Sequence, residues 1–480
     1  MKKLKSYNSS FNDAFKGFLI FGSTQIVLTI VALIKTKFVA IYIGIEGVGI
    51  HSILNSNANL FTSLCGVGVA TASISYFSKS KDFKNLFNNL FTIITFFGLI
   101  GVTLLILFSE ELSYLFFDDP SFQNQIIIIS LIIFFSNFTN LKKSLLQSLG
   151  KRKSLSISSI LSSILGLSTI IIYAYAGKDG IAYALILSSL IAFFVFLFIK
   201  PLIFKLEFKK TIYYLKENKR ILSLGVALVF SGFYFQMLSN ILNIIIVKNG
   251  MLSDVGQFQA SLSITNQAVG LIFTALALDY FPRLSSSIDD PEKVAKVVRN
   301  QISLVLIFIG PLLGCLIVFI RPLIKILLTE EFLQITLLSS LLLFSMLFKS
   351  IQWCLGYILI AEGKSKKYLR TEIIGITIFF LIVIISYLHK GIIGLGFGYI
   401  YAYIFYLIYY IFITFEISKN IFNKKILVHF IIILAFASTL LITEFFEFRQ
   451  IFSYLIKIIL LLFLIIYSFK QFQINSKQTN

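Results

Sequence analysis

Amides, hydroxyls and ammonium groups recur at helical spacing inside the apolar runs of this chain, and they are the groups able to do chemistry there. His51, Asn55, Asn59 and Ser63 follow at intervals of four, which sets them along one helix face. Gln236, Asn240 and Asn243 repeat at four and three. Gln259, Ser263, Asn266 and Gln267 form a third polar set, and Ser23, Thr24, Gln25 and Thr29 a fourth. No solvent in hydrocarbon satisfies such groups, so they must face protein or a water-filled cavity. Hydrogen bonds that merely glue helices together are the plainer alternative for any single residue. The joint pattern favours a cavity.

The cations inside apolar runs are Lys35 and Lys37 in the outer third of the first run, Lys248 at the outer end of the seventh, and Lys349 in the inner half of the tenth. A charge at mid-helix costs about 2.5–3.5 kcal/mol on insertion scales, so these positions ask for a reason. As point charges they suit an anionic ligand such as a diphosphate. Snorkelling to lipid headgroups is the alternative, and it fits Lys248 and Lys457 better than the deeper Lys349. Gln352 and Trp353 neighbour Lys349, with Trp353 one turn along the same face, placed either to stack on a sugar ring or to pack in the core. The only acid well inside a span is Asp279, one turn before Arg283, and a local ion pair at the membrane surface is expected there. No mid-membrane carboxylate of the kind an ion-driven exchanger needs is expected. Beyond His51, the histidines His389 and His429 stand near span ends, and no catalytic set can be assembled from them.

The elements that must position these groups are membrane spans. Of the 480 residues, 57% are hydrophobic and 13% charged. Soluble domains run at about 45–50% and about 25%. The apolar residues come in runs long enough to cross roughly 30 Å of hydrocarbon. The expected fold is an all-α integral membrane protein with about fourteen transmembrane helices, in which the second span covers 48–77, the tenth 332–360, the eleventh 373–388 and the twelfth 392–413. The net charge of +20 lies in short clusters between runs, including Lys151-Arg152-Lys153 and the stretch from Lys200 to Arg220. Anionic headgroups rather than nucleic acid account for that pattern. With both termini cytoplasmic, cations collect inside, and the outer loops carry Glu110, Glu111, Asp118, Asp119, Glu330 and Glu331. Cys65, Cys315 and Cys354 sit within apolar runs, too far apart for a disulfide framework or metal cluster. Neither a metal nor a cofactor is expected, and no loop has room for a soluble catalytic domain.

A self-similarity at an offset of about 204 to 213 residues divides the chain in two. Gly47-Val48-Gly49 opens the second span as Val255-Gly256 opens the eighth, and Ser75-Tyr76-Phe77 answers Asp279-Tyr280-Phe281. Gly150-Lys151-Arg152-Lys153 answers Gly363-Lys364-Ser365-Lys366. Two pseudo-symmetric six-helix lobes around a central cavity are expected, 1–210 and 211–418, with two further helices in 419–480. Six spans per repeat give both lobes one orientation, an architecture of transporters.

Gly44-Ile45-Glu46-Gly47-Val48-Gly49, the stretch Ala275 to Leu284 with its Asp-Tyr-Phe-Pro-Arg-Leu element, and Trp353 to Glu372 resemble the Wzx-type polysaccharide flippases. These are O-antigen translocases of the multidrug/oligosaccharidyl-lipid/polysaccharide exporter superfamily. The similarity covers roughly residues 10 to 415, and the Asp-Tyr-Phe-Pro-Arg-Leu element is its most specific piece. It implies a non-enzymatic flippase in a bacterial inner (plasma) membrane. Such a protein moves undecaprenyl-diphosphate-linked oligosaccharide to the outer leaflet, with membrane lipids and other polysaccharide assembly proteins as partners. A drug exporter of the same superfamily is the alternative, and a membrane polysaccharide polymerase is a more distant one.

Overall fold

The computed structural model describes residues 2–66, 83–199, 219–418, 420–445 and 450–479, and every regular element among them is helical. The pair Ser75-Tyr76-Phe77 and most of the basic stretch 200–220 lie outside the described residues. In chain order, the helices that shape the molecule are α1 Lys2–Cys65, α2 Phe83–Leu107, α3 Ile132–Ser148, α4 Arg152–Leu165, α5 Ile181–Phe198 and α6 Lys219–Asn249. They continue with α7 Leu252–Ser285, α8 Pro291–Val318, α9 Thr336–Ala361, α10 Ser365–Ile413, α11 Lys424–Phe445 and α12 Gln450–Thr479.

Ten helical segments among the described residues are long and apolar enough to cross a membrane, and the bent pair Leu252–Thr274 and Asp279–Ser285 makes eleven. The number falls short of the expected fourteen for a physical reason. Three of the segments, Gly22–Cys65, Arg152–Phe198 and Ser365–Ile413, contain 44, 47 and 49 residues. At 1.5 Å per residue each is about twice the roughly 30 Å of hydrocarbon. Each is broken at a glycine of positive φ: Gly44 (65°), Gly177 (54°) and Gly391 (60°). The break in α10 reverses the chain. Glu372 accepts hydrogen bonds from Tyr406 and Tyr410, and the Phe379 ring lies 4.8 Å from that of Tyr403. An unbroken helix would hold residues 372 and 410 about 57 Å apart.

The same turns occur in both halves of the sequence. Gly150 has φ 65° and Gly363 has φ 66°. The Gly150 amide donates to the Gln147 carbonyl, Arg152 to Gly150 and Leu155 to Lys151. Gly363 donates to Ile360, Ser365 to Gly363 and Tyr368 to Lys364, the same three bonds at the equivalent positions. The left-handed conformation costs a side chain roughly 1–2 kcal/mol, which is why glycine closes both. A second correspondence joins Gly177 and Gly180 to Gly391 and Gly394. A Cβ on Gly180 would press on Ile172 and Ala176, and one on Gly394 would press on Ser386 and Lys390, the equivalent positions.

The chain forms two compact units, Met1–Gly256 and Gln257–Asn480. The core of the first is built where α2 and α3 pack Leu86, Phe87, Leu90, Ile93 and Ile94 against Phe138, Leu141 and Leu145. Within this unit α1 and the start of α7 touch backbone to backbone. A Cβ on Gly49 would overlap the Leu252 carbonyl oxygen, and one on Gly256 would overlap that of Ile45. The core of the second unit is centred on α9, whose Leu341, Leu342, Leu343, Met346 and Leu347 are almost wholly buried between α8 and α10.

Candidate functional site

In the first unit the polar stripe of α1 is exposed only in part. Ile53, Leu54, Asn57 and Ala58 are buried, whereas Asn55 and Asn59 are exposed and His51 and Ser63 half-buried. The His51 ring meets Tyr173 edge-on at 6.1 Å, and its Nε2 is buried with no hydrogen-bond partner. Lys35 is half-buried, lies within electrostatic reach of the imidazole and approaches Ser188 Oγ at 3.4 Å. Lys37 is half-buried on the same helix, and Lys248 is exposed. Asn240 has a different setting. Its Oδ1 accepts from Ser56 Oγ at 2.6 Å and its Nδ2 donates to the Gln236 carbonyl at 2.9 Å, so it ties α6 to α1. Asn243 is buried beside it on α6, and Gln236 half-buried.

In the second unit, α9 carries Lys349, Gln352 and Trp353, all half-buried. The Lys349 ammonium lies 5.5 Å from the centre of the Tyr403 ring, the geometry of a cation–π contact. Trp353 stacks on Phe273 with centroids 5.1 Å apart and planes within 17°, and it meets Tyr357 edge-on at 5.0 Å. One indole face is therefore already covered by protein. Tyr280, from the element Asp279 to Leu284, is fully buried in this aromatic group and donates to the Cys354 carbonyl at 2.8 Å. The tyrosine thus pins α7 to α9. On α7, Asn266 is exposed, and Gln267 donates to Ser263 Oγ at 2.7 Å while its Oε1 is buried without a partner. Asp279 and Arg283 form an ion pair of 2.7 Å, both well exposed.

Two carboxylates alter the sequence-based picture. Glu372, just outside the expected eleventh span, lies about two turns inside α10, half-buried and held by Tyr406 at 3.2 Å and by Tyr410. The sequence pattern names Asp279 as the only acid well inside a span and does not single out Glu372. Hydropathy starts the span at the last charge, whereas the helix starts at Ser365. The available signal was the tyrosine stripe 399, 403, 406 and 410 at helical spacing. Glu444 is the second. It pairs with Lys457 across α11 and α12, with side-chain exposures of 4% and 7%, so Lys457 is buried in a salt bridge and does not snorkel. Among the described residues no three metal-ligating side chains come together.

An all-helical chain with these spans, these paired turns and polar side chains along its crossing segments has the fold of a polytopic membrane transporter. Its architecture is similar to that of a solved structure titled as the lipid II flippase MurJ in an inward closed conformation, at TM-score 0.74 and 17% identity over 95% of this chain and 99% of that one. It is similar also to a multidrug resistance MATE family transporter of the MOP superfamily in an inward-facing conformation, at TM-score 0.68 and 15% identity over 84% and 98%. A MOP superfamily transporter from Pyrococcus furiosus gives TM-score 0.60 and 14% identity over 85% and 97%. Among curated proteins none matches the sequence closely enough to count as a relative. The sequence model of the polysaccharide biosynthesis protein family matches residues 39–337, and the chain belongs to that family.

Proposed function

We propose that the protein is a flippase that carries a polyprenyl-diphosphate-linked oligosaccharide from the cytoplasmic to the outer leaflet of a bacterial plasma membrane by alternating access. Both termini are cytoplasmic in this reading, and the repeat supplies two six-helix lobes, 1–210 and 211–418, with 419–480 outside it. The observation that carries it is the exposure of Asn55, Asn59 and Asn266 on apolar crossing segments. Amides so placed need water or a polar cargo, since lipid satisfies neither donor nor acceptor. Lys35, Lys37 and Lys349 are then the contacts for the diphosphate, and the amides those for the sugars. Trp353 contributes its remaining ring face. Membrane lipids and other polysaccharide assembly proteins are its partners. Family membership and the likeness to a lipid II flippase support the same class of cargo.

The test is cellular. Deleting the protein should trap lipid-linked repeat units on the cytoplasmic leaflet, measured by labelling outward-facing glycan on intact spheroplasts. Outward labelling at the parental rate would refute the proposal. One observation favours a second reading, an ion-driven small-molecule exporter: Glu372 is a half-buried carboxylate about two turns inside α10, held by Tyr406. Ion-dependent efflux of a cationic dye from vesicles, lost in Glu372→Gln, would decide for that reading.

A further inference from the structure

A cavity of about 1200 Å³ opens in the second unit, away from the polar side chains assigned to transport. Ligand pockets typically span about 300–1,000 Å³, so the space is ample. Arg283, Lys293, Lys296, Arg299 and Lys425 line it, against the two acids Asp290 and Glu292. Asp290 is not free to neutralise the rest. Asp290 caps the start of α8, accepting from the Glu292 and Lys293 amides, and its carboxylate pairs with Lys293 at 3.1 Å. Arg283 is engaged with Asp279. Lys296 is exposed and has no carboxylate partner among the described residues. The Arg299 guanidinium donates to the Asn420 carbonyl, and its Nε is buried with no acceptor. The site has positive charge and a buried donor left over.

The gradient along α8 identifies the ligand class. Lys296, Asn300, Leu304 and Phe308 recur every four residues, so one helix face passes from cation to amide to aliphatic to aromatic. The twelve steps from residue 296 to 308 rise about 18 Å. Phe472 of α12 lines the cavity and meets Phe308 with centroids 6.4 Å apart, which extends the apolar end. A soluble anion would use the first half of that face and leave the second idle. A phosphate-headed lipid uses all of it.

We propose that this cavity binds a lipid of the cytoplasmic leaflet by its phosphate headgroup, with Lys296 and Arg299 on the phosphate and Leu304, Phe308 and Phe472 along the upper acyl chain. The cytoplasmic placement rests on the loop charges that orient the chain. Basic pockets between helices on that side are where anionic headgroups gather. Two lipids share the chemistry, an anionic phospholipid of the bilayer and a polyprenyl diphosphate.

The full chain in phosphatidylcholine nanodiscs, titrated with phosphatidylglycerol and read by native mass spectrometry, tests this. Each cation near a membrane surface contributes about 1 kcal/mol, so Lys296→Gln should weaken binding about fivefold and the Lys296→Gln/Arg299→Gln pair about thirtyfold. Lys366→Gln, on the exposed first turn of α10, should leave binding unchanged. Displacement of bound phosphatidylglycerol by equimolar undecaprenyl diphosphate would assign the site to the carrier lipid, and resistance would assign it to phospholipid. Equal binding by wild type and the double variant would overturn the proposal. Full competition by inorganic phosphate alone would overturn its lipid half.

Discussion

Removing the ammonium group of Lys457 should cost the protein about 3–5 kcal/mol of stability. Lys457 and Glu444 are buried together, at 7% and 4% side-chain exposure, so neither has water to fall back on when the other is lost. Lys457→Met leaves a carboxylate uncompensated in a low-dielectric setting, and Glu444→Gln leaves an ammonium. The intact pair is not itself strongly stabilising, because each charge surrendered several kcal/mol of hydration to reach its partner. The double variant Glu444→Leu/Lys457→Met should therefore be neutral, or more stable than wild type by about 1–4 kcal/mol. Independent sites add within about 0.3–0.5 kcal/mol, so the cycle should depart from additivity by several times that scatter. Equilibrium unfolding in mixed micelles, followed by far-ultraviolet circular dichroism as denaturing detergent is added, gives the four free energies. Single variants within about 1 kcal/mol of wild type, with an additive double, would refute the reasoning and show the pair to be hydrated.

Gly256→Ala places a methyl against the Ile45 carbonyl and should destabilise by about 1–3 kcal/mol, whereas Gly98→Ala, with open space around it, should be near neutral; the same unfolding assay compares them. Lys349→Ala should abolish or strongly reduce outward transfer of lipid-linked glycan in a complementation assay. Normal flux at normal expression would confine Lys349 to its packing on Tyr403. The Asp290 carboxyl is held below its usual range chiefly by the side-chain hydrogen bond from Lys293. A lowered native value means its contribution is complete above the ordinary range near about 3.9 and is lost as pH falls through the depressed value. The melting temperatures of wild type and Asp290→Ala should accordingly differ at neutral pH and converge in strong acid.

What was legible in the sequence depended on whether the signal was local. Membrane spans are local, since a run of apolar residues declares itself without reference to any partner. The turn at Gly150 and its counterpart at Gly363 were legible because basic residues follow each glycine. Gly177/Gly180 and Gly391/Gly394 stand one residue further apart, with Lys178 and Asp179 inside the first pair but Ile392 and Ile393 inside the second, and only their backbone geometry marks them as equivalent. Pairings across helices were hidden. Lys457 alone resembles a snorkelling lysine, and nothing within 13 residues of sequence says that Glu444 faces it in the core. Asn240 likewise looked free to line a cavity, while its partner Ser56 lies 184 residues away. Glu372 was lost to a boundary rule, because hydropathy counts where charge stops and not where the helix begins.

The fold-back of α10 has a consequence for biosynthesis. Glu372 is made with the first limb of the hairpin, and the phenols that satisfy it, Tyr406 and Tyr410, arrive only with the second. The first limb alone would leave that half-buried carboxylate without its hydrogen-bond donors, at a cost of about 1–3 kcal/mol. The reversal at Gly391 brings the second limb back along the first, so the two limbs form one hydrogen-bonded unit that encloses the acid. Residue order along the chain, and not only the finished packing, thus sets when this acid can meet its partners.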